Sequence, residues 1–188
     1  SGGRIERNEQ DSTIRIFNLE AYTDCFIELD QTSFDNIAWR LKFRTMNIAV
    51  DPNLIKLVEI PINVVGEAAG MVKMDKKGVL SGLARIIVNF YDKDQKKIGR
   101  TLTEDDGYFS YFGLNPGNYD ARIDSAQLRR LGFISIPDSV NFNIAANLDG
   151  DYVDGLDFII KIDTLKQLET MIRLDEYLKL QARLTDIE

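Results

Sequence analysis

The sequence predicts an all-β fold: a two-sheet antiparallel sandwich, with an extended β segment before it and an α-helix after it. Apolar and polar residues alternate along several short segments, as they do in strands with one buried face. Turn signals containing Asp-Gly, Lys-Gly and Pro-Gly pairs separate these segments. The chain has 188 residues, 44% of them hydrophobic and 28% charged. That is enough apolar material for a core without disulfides or metal.

The alternation changes along the chain and predicts four regions. The first is polar and begins with Ser1-Gly2-Gly3, which resembles a cloning remnant. The second contains strand patterns around Ile14 and Trp39 and an apolar extended stretch over 54–65. The predicted regions are a tag and disordered leader over 1–13, an extended β segment over 14–66, the sandwich over 67–162 and a helix over 163–188.

Within the sandwich, each predicted strand is bounded by a turn or a charged loop. Asp106-Gly107 predicts a tight hairpin turn, and Pro116-Gly117 predicts the next turn. A short helix is expected over 125–131, ended by Gly132. The predicted strands are 69–74, 84–91, 108–112, 119–123, a strand with Phe142 and Ile144, and 156–162.

The last region begins with Thr164-Leu165-Lys166-Gln167, a capping box that covers free amide hydrogens of the first helical turn. We expect a helix over about 165–187. Its apolar residues form one stripe in the first half and a nearly opposite stripe in the second. Either the helix breaks near Leu174, or its halves pack on two different bodies.

Composition excludes several classes of function. The formal net charge of −7 argues against nucleic acid as a partner. Histidine is absent and there is one cysteine, Cys25, which excludes Ser-His-Asp and Cys-His catalysis and zinc sites built from histidine or several thiolates. The sequence shows no signal peptide and no apolar run long enough to span a bilayer as a helix. We predict that the protein is not an enzyme and needs no cofactor.

The best candidate for an ion site is the acidic stretch 149–157. Ca²⁺ takes several oxygen ligands from one flexible loop, and four carboxylates lie within this short stretch. The glycine spacing does not match an EF-hand, so a solvated acidic loop is the competing interpretation. The calcium candidates are Asp149, Asp151, Asp154 and Asp157.

Other candidate sites carry weaker patterns. Glu104-Asp105-Asp106 is a second acidic cluster, but turn geometry alone accounts for Asp106 before Gly107. Cys25 has no histidine to activate it. Aromatic residues could stack on a carbohydrate or could pack in the core. These aromatic candidates are Trp39, Phe43, Tyr108, Tyr111, Phe112 and Tyr119.

The order of several motifs in the sandwich region resembles carboxypeptidase-regulatory-like modules, which have transthyretin-like, Ig-like β-sandwich folds. The motifs are Gly70-x-Val72, the strand 86–90, Asp106-Gly107-Tyr108-Phe109 and Leu114-x-Pro116-Gly117-x-Tyr119. The resemblance covers roughly half of the chain. It implies a non-catalytic spacer or accessory module of a secreted, periplasmic or surface protein.

A second resemblance lies upstream, in Leu19-x-x-Tyr22, Ile27-x-Leu29-Asp30, Phe34 and the extended stretch before the sandwich. This order is similar to the C-terminal region of outer-membrane fimbrial ushers. Cys25 stands where that pattern has Asn, and the Pro beside the Tyr is missing. The resemblance implies attachment to an outer-membrane barrel in a longer protein.

We therefore expect a structural or interaction module of a bacterial cell-envelope protein, outside the cytoplasm, such as a plug or docking region. Exposed sheet edges and the C-terminal helix are the expected surfaces for a protein partner. The alternative is a carbohydrate-binding or accessory domain of a secreted glycan-active protein or adhesin. Loss of glycan binding in Trp39→Ala would favour that alternative.

Overall fold

The computed structural model describes residues 3–8, 10, 13–164, 168, 171–176 and 179. The chain divides into two compact units, Ser1–Asn63 and Val64–Glu188. Most described elements are β-strands, and the predicted all-β fold class is confirmed. The unit boundary lies slightly before the boundary at 66/67 that the sequence predicts.

The first unit is built from two-stranded ribbons and a short 3-10 helix, Gln31–Ser33. Its strands are β1 (Arg4–Asn8), β2 (Thr13–Phe17), β3 (Asp24–Glu28), β4 (Trp39–Leu41), β5 (Thr45–Ala49) and β6 (Ile62–Val64). β1 pairs with β2, β3 with β5, and β4 with β6 at the unit boundary.

Strand β1 corrects the prediction of a disordered leader. The sequence RIERN has a single apolar residue, so its own pattern gives no strand signal. The strand forms because it is one arm of an antiparallel hairpin, in which Ile5 lies opposite Ile16 and Arg4 opposite Phe17. Cross-strand pairs of this kind stabilise two-stranded ribbons.

The second unit is the sandwich. One sheet has four strands in the order β10 (Lys97–Leu102), β9 (Ile87–Asp92), β12 (Gly117–Ile123) and β14 (Val140–Ile144). The other has six strands. Its main path is β11 (Tyr108–Leu114), β7 (Gly66–Lys76), β16 (Phe158–Ile162) and β13 (Phe133–Ile136), while β8 (Val79–Gly82) and β15 (Tyr152–Val153) also pair with β7.

The sheets are antiparallel except at two places. Both β15 and β16 run parallel to β7, which departs from the purely antiparallel prediction. Gly70 in β7 lets the returning chain approach closely, because a Cβ there would collide with the backbone of Leu156. The amide of Leu156 donates a hydrogen bond to the carbonyl of Ala69, 3.1 Å away.

The core lies between these two sheets. Phe90 of β9 is fully buried and stacks on Tyr111 of β11, with ring centroids 4.9 Å apart. Its ring also lies 6.4 Å from Phe109 and 6.2 Å from Phe142. Since β9 and β11 belong to different sheets, these ring contacts join the two layers.

The short helix α1 (Ser125–Leu131) is confirmed with the bounds that the sequence predicts. Asp124 caps its first turn by accepting a hydrogen bond from the amide of Gln127, 2.8 Å away. Gly132 ends the helix in the left-handed conformation, with φ of 68°. The fold of this segment therefore follows from its local sequence.

The described positions near the C-terminus, 164, 168, 171–176 and 179, are helical. The capping-box residues after Thr164 and the second apolar stripe lie outside the described residues. No helix in the described part of the chain is both long and apolar enough to cross a bilayer.

Candidate functional site

Three of the four aspartates proposed as calcium ligands accept hydrogen bonds from backbone amides, at separate places, and the fourth, Asp149, takes part through its own backbone amide. Asp151 accepts a hydrogen bond from the amide of Ala145, 2.6 Å away. Asp154 accepts from the amide of Gly155, at 2.7 Å. The amide of Asp149 donates to the side chain of Asn147, at 3.3 Å. Each of these contacts shapes the loop itself.

Asp157 contacts two residues of the neighbouring strand β7. One carboxylate oxygen accepts the amide hydrogen of Met71 at 2.9 Å, and the other lies 4.0 Å from the ammonium of Lys73. This contact helps to hold the chain beside β7. Among the described residues, no three His, Cys, Asp or Glu side chains come together as metal ligands. The geometry therefore favours the loop-forming interpretation of the acidic stretch.

The second acidic cluster is a hairpin turn. Asp106 accepts a hydrogen bond from the amide of Tyr108, at 2.9 Å. Gly107 has φ of 86°, a conformation that favours glycine, and an added Cβ would collide with the carbonyl of Val72. The Asp-Gly pair is thus explained by turn geometry and by close packing against β7.

Three of the candidate carbohydrate-binding rings pack against other rings. Tyr111 stacks on Phe90, as described above. Tyr119 packs against Phe142 with centroids 5.6 Å apart, and Trp39 meets Phe34 edge-on at 5.9 Å. Sugar binding by ring stacking needs exposed ring faces on one surface, and these contacts occupy ring faces in packing.

The pKa shifts also have structural causes. Hydrogen bonds from the amide and the hydroxyl of Thr32 lower the pKa of Asp30, which caps the 3-10 helix. A hydrogen bond with Tyr108 is the main cause that raises the pKa of Tyr152 to about 12. Cys25 is half-buried on β3, opposite Ile48. These arrangements stabilise turns and strand pairs and do not form a nucleophile with a base.

The most unusual surface is the stretch 54–60, which we call the apolar segment. The sequence predicts an extended apolar stretch over 54–65, but strand β6 begins at Ile62 and the apolar segment belongs to no strand. Its side chains are exposed where a β-rich protein usually buries such residues. The exposed fractions are Leu54 68%, Ile55 100%, Leu57 85%, Val58 41% and Ile60 39%.

The apolar segment is anchored at one point. The ammonium of Lys56 lies 2.6 Å from the Asp51 carboxylate and donates to the carbonyl of Ala49, also at 2.6 Å. Within the described part of the chain, the backbone amides and carbonyls of 54–60 make no hydrogen bonds to protein. The segment therefore presents both an apolar surface and a row of unpaired backbone groups.

The chain was compared with protein families, curated proteins and solved structures. No protein-family model matches it, and no curated protein matches it. Among solved structures, it is similar to the TIE protein of Bacillus anthracis, with 15% identity and a TM-score of 0.42 over 66% of this chain and 23% of that chain. The minor pilin GBS52 of Streptococcus agalactiae shows 12% identity and a TM-score of 0.40 over 81% of this chain and 65% of that chain.

The major pilin subunit BcpA of Bacillus cereus shows 16% identity and a TM-score of 0.38, over 50% of this chain and 28% of that chain. The chain thus spans less than two thirds of the length of each of these three proteins. These values are too low to assign an activity or a family to this chain. They support neither the usher resemblance nor the carboxypeptidase-regulatory-like resemblance.

Proposed function

We propose that this protein is a non-catalytic interaction module that binds a protein partner by strand addition through the apolar segment. The observation that carries the proposal is the exposure of Ile55 and Leu57 on an extended stretch whose backbone groups are unpaired in the described chain. In strand addition, backbone hydrogen bonds supply affinity, and pockets for alternate side chains supply specificity.

The two sides of the apolar segment differ, which indicates how a partner would bind. In an extended chain, 55, 57 and 59 point one way while 54, 56, 58 and 60 point the other. Ile55 and Leu57 are the more exposed, whereas Lys56 on the other side is held by Asp51. A partner sheet would therefore receive Ile55 and Leu57 in neighbouring apolar pockets and pair its edge strand with this backbone.

The proposed setting is the bacterial cell envelope, outside the cytoplasm. Its support is the resemblance of the sandwich motifs to modules of secreted and surface proteins, and the packing of Phe109 and the turn at Gly107 fit those motifs. More specifically, we propose that the protein takes part in assembling surface fibres.

Site-specific photo-crosslinking in the native host tests the proposal. A photoreactive residue at position 55 should give a discrete protein adduct in the envelope fraction, and Leu57→Lys in the same chain should remove that adduct. The matched control carries the photoreactive residue at Asp105, an exposed position in the sandwich turn at Gly107. An adduct that survives Leu57→Lys, or that appears equally from position 105, would contradict docking through the segment.

A further inference from the structure

We propose a second binding site, on the four-stranded sheet of the sandwich, for a neutral saccharide. The site is a shallow concavity of about 540 Å³ whose lining includes Asn118, Asp120, Asn141 and Asn143. It uses none of the residues of the apolar segment, so it is independent of the docking proposal.

The strand register brings these side chains together. β12 and β14 are paired so that Asn118 lies opposite Asn143 and Asp120 lies opposite Asn141. Directly opposed residues point to the same face of an antiparallel sheet, and so do residues two apart on one strand. The four polar side chains therefore form a two-by-two array on one face, away from Ala121 and Ile144 in the core.

Part of this array is already fixed by hydrogen bonds. The Asn143 amide donates to the Asn118 side-chain oxygen at 2.8 Å and to the carbonyl of Gly117 at 3.2 Å. One oxygen of Asp120 accepts from Gln95 and from Arg122, both at 2.9 Å. These contacts hold the side chains in position before any ligand binds, which lowers the entropy cost of binding.

A ligand would bind to the hydrogen-bonding groups of the array that contact no other described residue. Within the described residues, the side chain of Asn141 makes no hydrogen bond, and neither do the Asn118 amide nitrogen, the Asn143 side-chain oxygen or the second oxygen of Asp120. The array thus offers both donors and acceptors at a fixed spacing. Sugar hydroxyls both donate and accept, so they match such a mixed set, whereas a purely anionic or cationic ligand does not.

The net charge of the chain disfavours acidic sugars. The chain carries a net charge of −7, whereas the concavity itself is close to neutral, because Asp92 and Lys93 line it with opposite charges and the Asp120 carboxylate pairs with Arg122 at 2.9 Å. A carboxylated or sulfated saccharide would therefore be repelled by the overall negative field of the chain. The open, water-exposed geometry predicts weak binding, with a dissociation constant on the order of 1 mM.

NMR titration of the full ¹⁵N-labelled chain tests the proposal. The ligands are neutral glucose and N-acetylglucosamine oligomers at up to about 10 mM, a concentration that detects millimolar affinity, with an oligogalacturonate as the acidic comparison. The expected result is saturable shifts confined to residues 117–120 and 141–144 with at least one neutral oligomer, and smaller shifts with the acidic one.

Two variants make the result specific. Asn141→Ala removes a side chain without a protein partner, so it should preserve the folded spectrum and weaken binding roughly tenfold, which corresponds to the loss of one to two hydrogen bonds. Asn63→Ala, the same change outside the sandwich, should leave binding unchanged. The proposal is overturned if no neutral oligomer produces shifts at this face, if the acidic oligomer binds more tightly, or if Asn141→Ala binds like the unmodified chain.

Discussion

The hydroxyl of Tyr119 donates a hydrogen bond to the backbone carbonyl of Asn115, 2.7 Å away. This bond spans the turn at Pro116-Gly117 and links the start of β12 to the residue that follows β11. A tyrosine that bonds back to the chain a few residues upstream is a known device of β-sandwiches. It gives the Leu-x-Pro-Gly-x-Tyr motif a physical purpose.

Tyr119→Phe should lower the free energy of unfolding by about 0.5–1.5 kcal/mol, because it removes this hydrogen bond and keeps the ring packed on Phe142. Urea unfolding followed by circular dichroism measures the change. Tyr22→Phe is the matched control, since Tyr22 is 86% exposed. An equal effect of the two changes would contradict the role given to the Tyr119 hydroxyl.

The same hydroxyl predicts a pH dependence. Burial, with a smaller effect of Asp92, raises the pKa of Tyr119 above its ordinary value of 10.0. The neutral phenol is therefore favoured in the folded state, and its contribution is complete below pH 10.0 and is lost as pH rises through the folded pKa. The stability difference between the unmodified chain and Tyr119→Phe should stay constant up to about pH 10 and shrink as pH rises above it. A difference that shrinks below pH 10, or that grows above it, would contradict the assigned direction.

Asp124 joins the helix cap to a buried polar group. One carboxylate oxygen caps α1, and the other accepts from the side-chain amide of Asn89, which is 2% exposed, at 3.0 Å. Asp124→Ala should cost about 2–4 kcal/mol, because the cap is lost and the buried amide is left unsatisfied. Asp138→Ala, an exposed carboxylate in the same unit, should cost less than about 0.5 kcal/mol.

Acid titration separates the charge of Asp124 from its capping geometry. Hydrogen bonds, first from the amide of Gln127 and then from Asn89, hold its pKa below the ordinary value of 3.8. The stability that they confer is present above pH 3.8 and is lost as pH falls through the folded pKa. Asp124→Asn keeps a capping side chain, so its unfolding curve should lack this acid-dependent loss, and an identical acid profile would disprove the assignment.

Substitution of Phe90 tests whether the core of the sandwich is packed as described. Phe90→Ala should lower the free energy of unfolding by about 3–5 kcal/mol, because the ring is fully buried and contacts rings from both sheets. Phe26→Ala, at a ring that is 63% exposed, should change it by less than about 0.5 kcal/mol. Chemical denaturation of the two variants side by side provides the comparison, and similar losses would contradict the assigned core.

Local patterns in the sequence predicted the parts of this fold whose cause is local. The helix α1 follows from its cap and from Gly132, and the strand bearing Phe109 follows from the turn at Gly107. The predicted set lacks strands β8, β10 and β13. β8 and β13 are four residues long and carry no clear alternation, and β10 is polar and largely exposed. The parallel pairing of β16 with β7 depends on contacts such as Met71 with Asp157, 86 residues apart in the chain. No local pattern encodes such a contact.

The candidate sites also divide into features that the sequence predicts and features that it does not. Aspartate in a loop is equally suited to bind calcium and to accept backbone amide hydrogens, so the residue types around 149–157 could not distinguish the two. The alignment of Asn118 and Asp120 with β14 depends on the sheet register, which the pattern within one strand does not encode. The apolar segment was predicted as extended, while its exposure could not be read from its composition, because the same residues form buried strands elsewhere in the chain.

Hydrogen exchange of the isolated, monomeric protein is the most direct test of the central claim that the apolar segment is an unpaired strand available to a partner. The backbone amides of 54–60 should exchange near the rate of an unstructured peptide, while those of β7 should be strongly protected. Binding of the crosslinked partner should then protect 54–60 selectively. Protection of 54–60 equal to that of β7 in the isolated monomer would show that the segment is already paired and would contradict the account.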